Sequence, residues 1–148
     1  MNEEEKRHQQ RMQKKKALID AKVAKATEER GVLIVLSGPG KGKSSSGFGT
    51  VIRCIGHGYK AAVVQFIKGT WDCGERNFLQ QRCPEVPFIV MGSGFTWETQ
   101  SRERDREAAQ QAWQQTKTLL NDASLHLVLL DELTYILKYG YIDAEEVY

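Results

Sequence analysis

The chain is short of cysteine, of long apolar runs and of net charge, and each shortage closes off a class of protein. Its three cysteines, Cys54, Cys73 and Cys83, form no C-x-x-C pair. An odd set without a secretory leader fits reduced thiols in the cytoplasm and argues against a disulfide scaffold. No apolar stretch approaches the ~18 residues of a membrane span, and the N-terminus is too polar for a secretion signal. The expectation is a cytoplasmic protein with no membrane partner. The net charge is only +2, and the excess lies in the first thirty residues, where nine Lys/Arg face six Asp/Glu; the remainder holds twelve against thirteen. A near-neutral body argues against a nucleic-acid footprint across its face.

What is present is enough for one folded domain: 148 residues, 41% of them hydrophobic and 27% charged, are ordinary for a globular chain with a real core. The most informative stretch runs from Gly31 to Thr50, GVLIVLSGPGKGKSSSGFGT. Val32 to Leu36 are β-favouring and apolar, a glycine-rich turn with two lysines follows, and small residues then start a helix. With no side chains at Gly38, Gly40 and Gly42, backbone N–H groups can turn inward toward phosphate oxygens, and the amides of the helix start add positive potential. Lys43 is placed to reach the phosphates, and the Ser44 hydroxyl to hold a Mg²⁺ that bridges them. Gly38 to Ser44 reads G-x-x-x-G-K-S, one residue short of the usual phosphate loop unless Ser37 takes the first glycine's place. The shortening points to a triphosphate held differently from that of an enzyme acting on the γ-phosphate. A glycine-rich turn that binds nothing is the bland alternative.

The rest of the chain alternates between strand and helix patterns. Residues 2–30 lack Gly and Pro and read as one helix, with Met12, Ile19, Val23 and Ala26 as a narrow apolar stripe. It is a frayed basic arm, a helix that docks on a partner or over a site, or an arm that touches nucleic acid. Ser45–Ile55 is expected to be the first core helix, ending at Gly56-His57-Gly58. Arg53 on it either faces a ribose or phosphate or is simply exposed. Strands are expected at Ala61–Lys68, Phe88–Met91 and Leu125–Leu130, with helices at Glu75–Arg82 and Arg102–Leu120 between them. The loop Gly92–Gln100 carries Phe95 and Trp97, which either pin it to the core or mark a binding site for something flat and apolar. The last strand runs into Asp131-Glu132, the pattern of the second metal-binding strand in phosphate-loop proteins. A further helix is expected to begin at Asp143. Strand–helix alternation gives an α/β fold, a phosphate-loop NTPase-like, mainly parallel sheet with flanking helices, preceded by an N-terminal helix. The expected organisation is an arm or lid at 1–30 and an α/β domain at 31–148 that lacks later strands.

Taken together, SGPGKGKSSSGFGT, RCIGHG, VVQFIKGTWDCGERN, GFTWETQ and VLLDELTY resemble the cob(I)alamin (corrinoid) adenosyltransferases of the phosphate-loop type, the CobA/CobO/BtuR family. The match covers most of the chain from Gly31 to Tyr141. Pro39 and Ser44-Ser45 depart from the family's common Asn and two threonines, but serine keeps the metal-binding hydroxyl. The resemblance implies transfer of the adenosyl group of ATP to Co(I) of a corrinoid, with release of triphosphate. By resemblance, Gly38, Pro39, Gly40, Lys41, Gly42, Lys43, Ser44 and Ser45 hold the triphosphate, Ser44 and Glu132 serve Mg²⁺ (or Mn²⁺), and Arg53 contacts the nucleotide, with Asp131 the less certain metal partner. Phe95 and Trp97 are implied to displace the corrinoid's lower ligand. The N-terminal helix would cover the active site, often the partner's in a homodimer, and an external flavoprotein would supply electrons. Two rivals stay open: a generic phosphate-loop ATPase or kinase, and a non-catalytic, truncated nucleotide- or corrinoid-binding module.

Overall fold

The computed structural model describes residues 2–67, 72–92 and 101–148. They fall into two compact units, Met1–Val35 and Leu36–Tyr148.

In the first unit, helix α1 spans Glu3–Lys25. The Asn2 side chain accepts a bond from the Glu5 amide at 2.8 Å, and the Glu5 carboxylate accepts one from the Asn2 amide at 2.9 Å, so two of the helix's unpaired donors are satisfied reciprocally. Glu3, Glu4 and Glu5 occupy the first turn, and Lys22 and Lys25 the last, each set complementing the helix dipole. The helix stops short of the expected end at Arg30. Thr27 is β-branched, and Glu28 and Glu29 would have put negative charge at the negative end of the dipole. None of its residues is buried.

Residues 26–37 carry neither helix nor strand. The strand expected at Val32–Leu36 is therefore not formed, and its side chains are exposed by 45% to 86%. Composition suits these residues to a strand, but a strand exists only where a neighbour accepts its backbone bonds. Among the described residues the sheet has three strands, one fewer than the sequence reading.

In the second unit, α2 (Lys43–Gly56) leads to strand β1 (Ala61–Gln65), α3 (Gly74–Arg82) to β2 (Phe88–Val90), and α4 (Arg102–Leu120) to β3 (Leu127–Asp131). The order across the sheet is β2-β1-β3, all parallel. Central β1 is buried at every position, as expected of a parallel strand covered on both faces. Alternate residues feed two cores: Val63 joins Phe48 and Val51 of α2 and Leu79 of α3, while Val64 joins Ala112 and Trp113 of α4. Gly47 lets α2 approach the sheet closely, since a Cβ there would lie 2.8 Å from Leu129 Cδ1.

Three further local readings are corrected. β1 ends at Gln65, because Ile67 adopts φ +56°, a conformation a β-branched residue takes only under strain. A short helix α5 (Leu133–Lys138) follows β3 directly, where none was expected. In place of the helix expected from Asp143 there is one 3₁₀ turn, Ala144–Glu146, whose cap is the Asp143 carboxylate accepting from the Glu145 amide at 3.3 Å.

Candidate functional site

The glycine turn is built by backbone conformations that side chains disfavour. Gly38, Gly40 and Gly42 have φ of +118°, +100° and +105°, the left-handed side of the map that glycine enters without penalty. Alternating this conformation with ordinary residues curls the chain so that amides face one side. Gly42 then stands as the N-cap of α2, whose first amides have no acceptor within the helix. Lys43 folds back over the turn, and its Nζ donates to the Gly38 and Gly40 carbonyls, both at 2.7 Å.

One turn of α2 reaches the C-terminal edge of the sheet. Ser44 Oγ donates to Asp131 Oδ1 at 2.9 Å, and Gln65 Nε2 donates to Asp131 Oδ2 at 2.9 Å. The register places Gln65 level with Asp131 across the β1–β3 pair, which is why residues 66 apart in sequence meet. Asp131 is 7% exposed and Gln65 wholly buried. Beside them, Ser45 Oγ donates to Glu75 Oε1 at 3.0 Å, and Cys73 Sγ donates to Glu75 Oε2 at 3.3 Å, which ties the start of α3 to the first turn of α2.

The structure thus brings Lys43, Ser44 and Ser45 to one edge with Asp131 and places Gly38, Pro39, Gly40, Lys41 and Gly42 in the exposed turn before α2. Glu132 follows Asp131 as the N-cap of α5 with φ +64°. Arg53 sits in the last turn of α2, roughly 15 Å along the helix axis from Lys43 at about 1.5 Å per residue. Phe95 and Trp97, and residues 68–71, lie outside the described residues. Sequence reasoning missed Gln65, Glu75 and Cys73. The signal for Gln65 was available: it is the one amide in the otherwise apolar run Ala61–Ile67.

A glycine turn at a helix N-terminus, with a lysine, a hydroxyl and a strand-end aspartate, thus stands at the C-terminal edge of a parallel sheet, the edge where open α/β folds bind ligands. The comparisons then place it. The chain belongs to the family described as ATP:corrinoid adenosyltransferase BtuR/CobO/CobP, whose model matches residues 29–148. Residues 1–23 match a second, described as Cob(I)alamin adenosyltransferase N terminal. Relatives named corrinoid adenosyltransferase from Escherichia coli and Pseudomonas aeruginosa are 55% and 53% identical, over 95% and 98% of this chain and 71% of theirs. One from Salmonella typhimurium, named corrinoid adenosyltransferase CobA, is 55% identical over 95% of this chain and 71% of its own.

The site's donors fit a small hard cation. A hydroxyl that donates to a carboxylate still presents oxygen lone pairs to a metal, and both groups are oxygen ligands. Among the described residues no three His, Cys, Asp or Glu side chains form a group that could hold an ion. A cation here would depend on the substrate's phosphates and on water, which is the habit of Mg²⁺.

Proposed function

We propose that this enzyme binds ATP with Mg²⁺ (or Mn²⁺) through Gly38–Ser45 and transfers the 5′-deoxyadenosyl group to Co(I) of a corrinoid, cobalamin or cobinamide. Triphosphate is the other product. The observation that carries the reading is the Ser44–Asp131 hydrogen bond, which joins the glycine turn to the end of β3 in a chain of this family. The corrinoid's cobalt is the nucleophile: the new bond forms to C5′ of ATP and the C5′–O bond breaks. The chain's own residues therefore need only hold the reactants in line and stabilise the leaving triphosphate. Lys43 exchanges its two carbonyl partners for phosphate oxygens, and the amides at the start of α2 supply fixed donors. Ser44 and Asp131, with Glu132 beside them, would hold the cation, which would supply positive charge against the leaving triphosphate.

Phe95 and Trp97 enter the proposal by resemblance. Two large rings without a good lone pair would exclude water from the corrinoid's lower face and displace its axial ligand. Arg53 likewise enters by resemblance, as a nucleotide contact. The arm at 1–30 is proposed to cover the active site of a partner in a homodimer, and an external flavoprotein to deliver electrons, in the cytoplasm.

A second reading, a binding module without turnover, draws on the exposed Val32–Leu36 segment, because a strand there would anchor the first glycine of the turn. An anaerobic assay with ATP, Mg²⁺ and chemically reduced cobalamin separates the readings. Loss of the Co(I) absorbance with adenosylcobalamin and intact triphosphate establishes the transferase. ADP and phosphate would mean attack at the γ-phosphate, and ATP binding without reaction would leave the module.

A further inference from the structure

Gln65 is wholly buried at the end of the central strand, and its two polar atoms have different fates. Nε2 donates to Asp131 Oδ2, while Oε1 has no hydrogen-bond partner among the described residues. The amide cannot be turned round to mend this, because Oε1 would then face a carboxylate oxygen. An amide oxygen buried without a donor is costly, and a bound water or ion is one way such a position is satisfied. The direction of the network says which ligand. Gln65 fixes one oxygen of Asp131, the other accepts a hydrogen bond from the Ser44 hydroxyl, and Ser44 carries the chain of bonds on to the start of α2 beside the glycine turn.

We propose that Gln65 is a positioning residue for the cation that accompanies the nucleotide: Nε2 orients Asp131, and Oε1 accepts a hydrogen bond from a water on that cation. This rests on the ATP·Mg²⁺ reading above. Groups that orient a metal's direct ligands typically set its affinity by about 10- to 100-fold. Gln65 acts on the Mg²⁺-dependent part of ATP binding and leaves the Mg²⁺-independent part alone, since its hydrogen bond goes to Asp131 and not to Lys43 or the amides of the turn.

The test is calorimetric titration of the purified full chain with ATP, with Mg²⁺ and with EDTA. Gln65→Met keeps the length and volume of the side chain and removes both polar atoms. The expected result is unchanged ATP affinity in EDTA and about tenfold or greater loss of the enhancement by Mg²⁺. Equal loss in both conditions would show a packing role only, and an unchanged Mg²⁺ enhancement would show no role; either overturns the proposal. Should Gln65→Met not fold, Gln65→Asn retains the amide but shortens its reach, and the same split is expected of it. Wild-type protein that binds ATP equally with and without Mg²⁺ would refute the metal reading, and this inference with it. A wild-type enhancement that survives in both variants refutes the inference alone.

Discussion

Replacing Asp131 two ways separates the hydrogen-bond network from the charge it carries. In Asp131→Ala, two bonds to a carboxylate are lost, each about 1.5–3 kcal/mol net. Relief from burying the carboxylate returns a few kcal/mol, but Gln65 is left with Nε2 as well as Oε1 unpaired, at about 1–3 kcal/mol more. The net destabilisation comes to about 3–4 kcal/mol. Asp131→Asn behaves differently. The oxygen of the introduced amide still accepts from Ser44, and its nitrogen meets Gln65 once the Gln65 amide rotates and presents Oε1. The unpaired position then changes from oxygen to nitrogen, and there is still only one. Charge-assisted bonds become neutral ones, a loss of about 2 kcal/mol that relief from carboxylate burial largely offsets, so this variant stays within about 1 kcal/mol of wild type. Urea unfolding monitored by circular dichroism measures the contrast. At an m-value of about 1.5 kcal/mol/M, the two midpoints should differ by about 2 M. Both variants should lose Mg²⁺-dependent ATP binding, because neither keeps the anionic oxygen. Midpoints within about 0.5 M of each other would mean that the Ser44–Asp131–Gln65 network is not formed in solution.

Lys43→Ala should weaken ATP binding at least about thirtyfold, the loss of one strong charge-assisted bond, with little change in unfolding midpoint, since among the described residues Nζ bonds the exposed turn; unchanged nucleotide affinity would sink the phosphate-loop assignment. Gly47→Val should destabilise by about 1–3 kcal/mol through overpacking against Leu129, and by much less in a Leu129→Ala background, a coupling read by a double-mutant cycle. Burial, and next the Asp105 carboxylate that its hydroxyl meets at 3.4 Å, push the Tyr141 pKa up. Stability from that group is complete below its unfolded value of about 10 and is lost as pH rises through the higher folded value. Tyr141→Phe should therefore lose less stability than wild type when urea midpoints are compared between about pH 8 and about pH 11, and equal losses would refute the shift. Trp97→Ala should impair turnover of Co(II) corrinoid with a reductant more than turnover of pre-reduced Co(I), while leaving ATP binding intact; an equal fall in both would refute ligand displacement.

What the sequence made legible was local. Arg102–Leu120 was readable to the residue, because its good helix formers and inward stripe carry their own signal. The glycine turn was readable for the same reason, as spacing along one segment. Contacts between distant segments were not. Asp131 stood as the less certain metal partner beside Glu132, and nothing in its own segment announced that the pairing of β1 with β3 sets Gln65 against it. Val32–Leu36 failed in the opposite direction: five residues of high strand propensity found no ladder, and propensity describes a side chain's fit to a sheet, not the presence of one. The helix Leu133–Lys138 was hidden because its cap is Glu132 in a left-handed conformation rather than a residue usual at that position.

That same apolar run governs how the polypeptide will behave in the tube. Val32-Leu33-Ile34-Val35-Leu36 holds no proline, glycine or charge, and its side chains face solvent, the makeup of a segment that pairs edge to edge with copies of itself. Solubility on expression should thus be limited by a handful of residues that belong to neither packed core, and light scattering should rise with concentration at temperatures where the circular dichroism is still native. An Ile34→Lys change would act as a gatekeeper and suppress that assembly.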